Sequence, residues 1–294
     1  MRLCPGCGQP LAAAGWDCSN CGYRAARRAG FVALAPKLAE QAQTQDEGFD
    51  PALFSELAAL EARNFWFRAR NRLILWALQR HAPGFSDFLE VGCGTGYVLQ
   101  GIAAAFPQAR LVASEAETEG LRFAAERVPR AEFLQLDARR MPFSGEFDAI
   151  GAFDVIEHIT EDETVLAQMR RALKPGGHLL LTVPQHPFLW SEYDVRAHHV
   201  RRYTRPELRQ KLERAGYRVV KMTSFVSLLL PLMMLSRMTK TAKAADYDPL
   251  AELRIGSVTN AVLERVLDAE RLLIRAGLSL PAGGSLLAVA QRPA

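Results

Sequence analysis

From residue 85 onward, short apolar runs alternate with stretches of helical spacing. Phe88–Val91, Arg110–Ser114, Glu132–Leu136, Ala149–Phe153, His178–Val183 and Arg218–Met222 read as strands. Helical stretches follow most of them, which predicts a parallel α/β sheet with helices on both faces. A last apolar run, Ser285–Ala290, follows the turn PAGG and predicts a seventh strand. Between the last two strands, over about 225–284, lie two apolar helical segments, read as a helical insertion. The first, SFVSLLLPLMMLSRM, is apolar almost all round. The second, SVTNAVLERVLDAERLLIRAGLSLP, is amphipathic.

Upstream the pattern changes twice. From Pro51 to about Arg80 apolar residues recur at helical spacing, and Asp50 before Pro51 forms a cap and first-turn pair. Within this stretch NFWFRARN (Asn64–Asn71) sets three aromatics beside arginines. It suits a helix junction packed on the sheet, or a wall of a ligand pocket. Residues 31–50 are polar and without period, and read as a linker. Residues 1–30 have almost no core of their own but contain CPGCG and CSNCG. Ten residues separate Cys7 from Cys18. Two such knuckles bring four thiolates to one ion, so Cys4, Cys7, Cys18 and Cys21 predict a structural zinc ribbon. Metal would supply much of its folding energy. The expected organisation is a ribbon over 1–30, a linker with N-terminal helices over 31–84, and an α/β domain over 85–294.

Composition adds limits. The chain has 294 residues, 49% hydrophobic and 23% charged, which fits a globular protein with a full core. Its net charge of +4 permits an anionic partner without announcing one. Phe225–Leu235 is the longest apolar run. It is too short to span a bilayer and contains Pro231. No secretory signal is visible at the N-terminus, so the expected location is cytoplasmic, with peripheral membrane contact as an option through the insertion.

The first strand opens into FLEVGCGTG (Phe88–Gly96). A phosphate-binding P-loop would need GxxxxGK[ST], and no lysine or arginine follows here before Arg110. The dinucleotide fingerprint is GxGxxG, whereas Gly92, Gly94 and Gly96 give GxGxG with Glu90 just before them. An acid there repels a pyrophosphate and welcomes a cation. Glu115 ends the second strand, where a carboxylate can accept ribose hydroxyls. Asp137 follows the third, where it can accept an adenine amino hydrogen. S-adenosylmethionine fits a ligand with a ribose, an adenine and a positive pole that needs no phosphate.

FLEVGCGTG, Glu115, LQLDARRMPF, FDAIGAFDVIEHI and LKPGGHLLLTVP, in this order, resemble the class I S-adenosylmethionine-dependent methyltransferases. The resemblance covers about 85–222, is closest to the type 11/12 groups, and implies a Rossmann-like fold. It implies that Gly92, Gly94 and Gly96 receive the methionine part and that Glu90 sits near its amino group. Glu115 would hold the ribose, Asp137 the adenine, and Phe153 would line the pocket.

Two constellations compete for the acceptor's proton. Asp154, Glu157 and His158 in AFDVIEHI are similar to the E-x-x-E-H of ubiquinone-biosynthesis O-methyltransferases, where a divalent cation is implicated. Here aspartate stands at the first position. The loop QHPFLWSEYDVRAHHVRRYT (Gln185–Thr204) holds His186, His198 and His199. A histidine base suits neutral pH, and His199, His186 and His158 are the candidates. Arg201 and Arg202 would meet an anionic substrate or solvent. The expected activity is methyl transfer to a small-molecule or lipid-like acceptor, with the insertion as a cover over an apolar site. The alternatives are an RNA methyltransferase gripping RNA with its ribbon, a non-catalytic cofactor-binding module, and a nicotinamide oxidoreductase.

Overall fold

The computed structural model describes residues 1–12, 15–38, 53–239 and 253–294. Its strands are β1 (Ala26–Arg28), β2 (Phe31–Ala33), β3 (Asp87–Val91), β4 (Arg110–Glu115), β5 (Glu132–Gln135), β6 (Phe147–Phe153), β7 (Leu173–Pro184), β8 (Arg218–Phe225) and β9 (Ser285–Gln291). The helices discussed are α1 (Leu53–Glu61), α2 (Phe65–His81), α3 (Tyr97–Ala105), α4 (Thr118–Arg127), α5 (Asp162–Ala172), α6 (Glu192–Arg196), α7 (Arg205–Arg214), α8 (Leu230–Thr239) and α9 (Ser257–Arg275).

All nine strands join one sheet in the order β1-β2-β5-β4-β3-β6-β7-β9-β8. From β2 to β7 every neighbour is parallel. β9 runs antiparallel between β7 and β8. The chain winds outward from β3 to β5, then restarts at β6 on the other side. The carboxyl ends of β3 and β6 therefore flank a switch point, where open α/β sheets bind ligands. Alternate residues along each strand feed two cores. Phe88 packs with Leu73 and Ile74 of α2, Leu99 of α3 and Leu121 of α4. Leu89 and Val91 face the opposite side with Val165 and Leu166 of α5 and Leu208 of α7. Helix α7 is capped by Thr204, which forms a capping box with Glu207.

The seven expected strands are present, and the ribbon adds two more. β1 and β2 form a hairpin whose second strand pairs with β5 through Val32↔Leu134 and Ala33↔Gln135. The hairpin reaches past residue 30 and covers what would be a bare sheet edge. Trp16 is buried edge-on against Phe143 at 5.6 Å, with the Arg2 guanidinium 4.8 Å above it. Gln135 is fully buried. Its side-chain oxygen accepts the Ala35 N–H, and its amide nitrogen donates to the carbonyls of Ala35 and Ala116. The ribbon therefore borrows its core from the larger domain.

The insertion closes the opposite end. Arg72 of α2 pairs with Glu264 and Asp268 of α9 at 2.8 and 3.1 Å. Glu270, almost fully buried, accepts the N–H groups of Val226, Ser227 and Leu228 at 2.6, 2.6 and 2.8 Å. That carboxylate holds the turn after β8, where Val226 adopts φ +59°. Residues 240–252, between the two predicted helices, lie outside the described residues. Among those described, no helix is long and apolar enough to cross a membrane.

Candidate functional site

Strand β3 delivers the glycine turn to the switch point. Gly92, Gly94 and Gly96 all have positive φ. A Cβ on Gly92 would meet Val155 Cγ2 at 2.5 Å, and one on Gly96 would meet the Ala124 backbone at 2.7 Å. On Gly94 it would meet nothing within 4 Å among the described residues. Two of the glycines are thus required by close packing, and the middle one faces an open crevice. The Gly94 N–H donates to Glu115 Oε2 at 2.8 Å, and the Ala116 N–H to Oε1 at 2.7 Å. Glu115 keeps further lone pairs for a ligand.

Glu90 lies beneath this turn, 2% exposed, and its Oε2 has no hydrogen-bond partner among the described residues. Burial pushes its pKa up to about 8. The Arg70 guanidinium opposes the shift, and the carboxylates of Glu115 and Glu61 add to it. A buried acid in this position gains most from a cationic ligand. Helix α1 is strapped over the turn. Thr95 Oγ1 donates to Glu61, and Arg127 donates to Glu61, to Thr95 and to the Ala58 carbonyl.

The other predicted cofactor contacts stand as follows. Asp137 follows β5 but is ion-paired with Arg139 at 2.9 Å, so an adenine would share its carboxylate. Phe153 is buried. Its ring fills the space beside Gly151 and Phe88, which makes it part of the floor of the sheet rather than an open wall.

Across the crevice, the carboxyl end of β6 carries Asp154 at φ +57°. Its carboxylate pairs with Arg70 and accepts the Thr182 hydroxyl. Both contacts are at Oδ2, and Asp154 lies outside the cluster to which Glu157 and His158 belong. Glu157 and His158 are joined instead by His199 from the loop after β7. One ligand atom of each lies within 4.8 Å of the others. The His158 and His199 rings meet edge to face at 4.7 Å. Glu157 is fully buried, with neither oxygen hydrogen-bonded among the described residues. Burial, reinforced by Asp154, pushes its pKa well above the usual carboxylate range.

The loop is held by Asp194. It accepts from Ser191, from Arg202 Nε at 2.7 Å and from His199 Nδ1 at 2.8 Å. It is buried, but these donors more than offset the burial and bring its pKa down to about 2. An ionised Asp194 fixes the His199 proton on Nδ1 and leaves Nε2 for the crevice. Val200 N–H donates to the Glu157 carbonyl at 2.8 Å, which ties the loop to the turn after β6. His186 stacks on Phe188 at 4.8 Å, and burial lowers its pKa. His198 is exposed. Arg201 and Arg202 pair with Asp162 and Asp194 inside the protein, so neither waits for an anionic substrate.

Residues 58–222, more than half the chain, match the methyltransferase domain family. The chain belongs to that family. A probable S-adenosylmethionine-dependent methyltransferase of Mycolicibacterium smegmatis is 28% identical over 166 residues, which cover 55% of this chain and 63% of the relative. A trans-aconitate 2-methyltransferase of Azoarcus sp. is 31% identical over 116 residues, covering 40% of this chain and 44% of the relative. The chain thus spans about half the length of these curated relatives. Among solved structures, a Haemonchus contortus phosphoethanolamine N-methyltransferase bound to S-adenosylhomocysteine aligns with TM-score 0.57 at 17% identity. The alignment covers 87% of this chain and 60% of that one. At that identity the likeness shows the shared methyltransferase fold.

Two groups in this methyltransferase domain escape sequence reasoning. Arg70 sits among Glu90, Asp154 and Glu157, 7% exposed, with Trp66 at 4.9 Å. The NFWFRARN segment raised a pocket wall as an option but did not single out this arginine. Asp194 carried no signal beyond its place in a histidine-rich loop. Outside the domain, the four ribbon sulfurs converge. Cys4 and Cys21 lie 3.5 Å apart, Cys7 and Cys18 3.8 Å apart, and all four within 4.8 Å. Sulfurs about 2.3 Å from a tetrahedral ion have edges of about 3.8 Å, so the set fits one metal.

Proposed function

We propose that this chain transfers the methyl group of S-adenosylmethionine to a small-molecule acceptor, with the acceptor's proton handled at Glu157, His158 and His199. The observation that carries the reading is the pairing of an open Gly94 with the unpartnered, buried Glu90. Together they offer a close backbone surface and a counter-charge for an aminoacyl ammonium. Glu115 and Asp137 are the proposed ribose and adenine contacts. The relatives' names, among them trans-aconitate 2-methyltransferase and malonyl-[acyl-carrier protein] O-methyltransferase, support a small acceptor.

Calorimetric titration with S-adenosylmethionine, with NADH as comparison, tests the reading. Binding of the first and not the second is expected, and no binding of S-adenosylmethionine overturns it. Glu90→Gln should weaken binding at pH 8 by about 10-fold or more, the scale of one charge-assisted hydrogen bond. The same substitution has a second readout. Burial raises the folded pKa of Glu90 above 4.5, so the fold favours its neutral form. That contribution is complete below pH 4.5 and is lost as pH rises through about 8. Stability of the ligand-free protein should carry this falling slope, and Glu90→Gln should flatten it in denaturant titrations across pH 5–8.

We also propose that the ribbon holds one structural zinc. A strong chelator should then remove one zinc per chain, shift Trp16 emission to the red and lower the melting temperature by several degrees. Trp16→Phe identifies the emission change. A chain that melts unchanged after losing its zinc would leave the ion no structural role.

A further inference from the structure

The Glu157 carboxylate is fully buried. Both of its oxygens lack a hydrogen-bond partner among the described residues, whereas Glu90 and Glu146 each leave one oxygen so. A fully buried polar group left without partners implies something that completes it. Two imidazoles face it, and the three ligand atoms lie within 4.8 Å of one another. His199 is oriented as metal-binding histidines are. Its Nδ1 donates to Asp194 at 2.8 Å, leaving Nε2 as a lone-pair donor. Charge points the same way. Asp154 and Asp194 offset Arg70 and Arg202, to which they are paired. Glu157 has no such partner among the described residues, and a bound cation would supply one.

We propose that Glu157, His158 and His199 form a site for one divalent first-row transition ion such as Mn2+, Fe2+ or Zn2+. Two nitrogen donors and one oxygen donor favour these over magnesium or calcium. Asp154 stands outside this cluster, with its Oδ2 held by Arg70 and Thr182. Three protein donors leave coordination positions open to the acceptor.

The role of the ion rests on the proposed methyl transfer. An acceptor hydroxyl bound to the ion loses its proton to solvent. Its oxygen then forms the bond to the methyl carbon while the carbon–sulfur bond breaks, and sulfur keeps the electron pair. The donor departs as the neutral thioether. In this arrangement Glu157, His158 and His199 would handle the acceptor's proton through the ion they hold, which lowers the pKa of the acceptor.

The test uses the full chain with one equivalent of zinc, which the four thiolates take first, so that the ribbon does not compete for Mn2+ and the second site stays free of zinc. Mn2+ is titrated in, and the free ion is followed by electron paramagnetic resonance. One retained Mn2+ per chain is expected. Asp194→Asn should weaken retention by about 10–100-fold. His158→Ala and His199→Ala should abolish it, and His198→Ala should leave it unchanged. Each variant is first titrated with S-adenosylmethionine to show an intact fold. His158 is at an exposed position, so its variant decides the matter if the His199 variant does not fold. No retention by the wild type, or retention that survives both histidine changes, overturns the proposal. Metal binding without S-adenosylmethionine binding would instead refute the methyltransferase reading and leave the ion site standing.

Discussion

Gly96→Ala is expected to destabilise the protein by roughly 2–6 kcal/mol. Two costs add. A non-glycine residue at φ +77° bears strain of about 1–3 kcal/mol. Its Cβ would also sit 2.7 Å from the Ala124 backbone of α4, an overpacking cost of about 1–3 kcal/mol. Because the obstacle is backbone, no side-chain rotation relieves it. Against a typical total of about 5–15 kcal/mol, much of the stability goes. Gly94→Ala provides the contrast. It bears the strain at φ +51°, but its Cβ enters open space. That variant should fold, melt a few degrees lower and lose S-adenosylmethionine binding, since the methyl occupies the crevice. Denaturant titration and calorimetry on both variants check the pair. A Gly96→Ala protein as stable as wild type would show that α4 does not press on the turn.

His199→Ala is expected to lower kcat by about 100- to 10,000-fold, the range for losing assistance to the acceptor's deprotonation, which His199 gives as a base or as a ligand of the proposed ion. Cofactor affinity should hardly change, because His199 lies on the opposite wall from Glu90 and Glu115. His198→Ala, one residue away and exposed, should retain full turnover. Single-turnover transfer of a labelled methyl group measures both. Equal rates for the His199 variant and wild type would place the acceptor chemistry elsewhere.

Much of the fold was legible before any coordinates. The seven domain strands follow from short apolar runs because each strand must bury one or both faces, and burial leaves a period in the sequence. The two ribbon strands left no such mark. Each is three residues long, and the pairing of β1 with β2 and of β2 with β5 relies on backbone groups that any sequence supplies. Trp16 was unremarkable until Phe143 was found beneath it. Asp154 shows a related limit. The spacing D-x-x-E-H shows three chemically suitable residues, but it cannot show that Arg70, from a helix far upstream, claims the first.

By itself the sequence determined the α/β sheet, the glycine turn with its acid, the carboxylates that close the second and third domain strands, and the four ribbon thiolates. All are local: a strand, a turn or a knuckle is written in consecutive residues whose backbone demands are particular. The tertiary structure decided which histidine works with which carboxylate. Glu157 and His199 come from separate connections and meet only because β6 and β7 are neighbours in the sheet. Asp194 then folds the second connection back over the first. Of the loop's three histidines, the one that enters the site is chosen by that buried carboxylate, through a contact that composition and spacing do not encode.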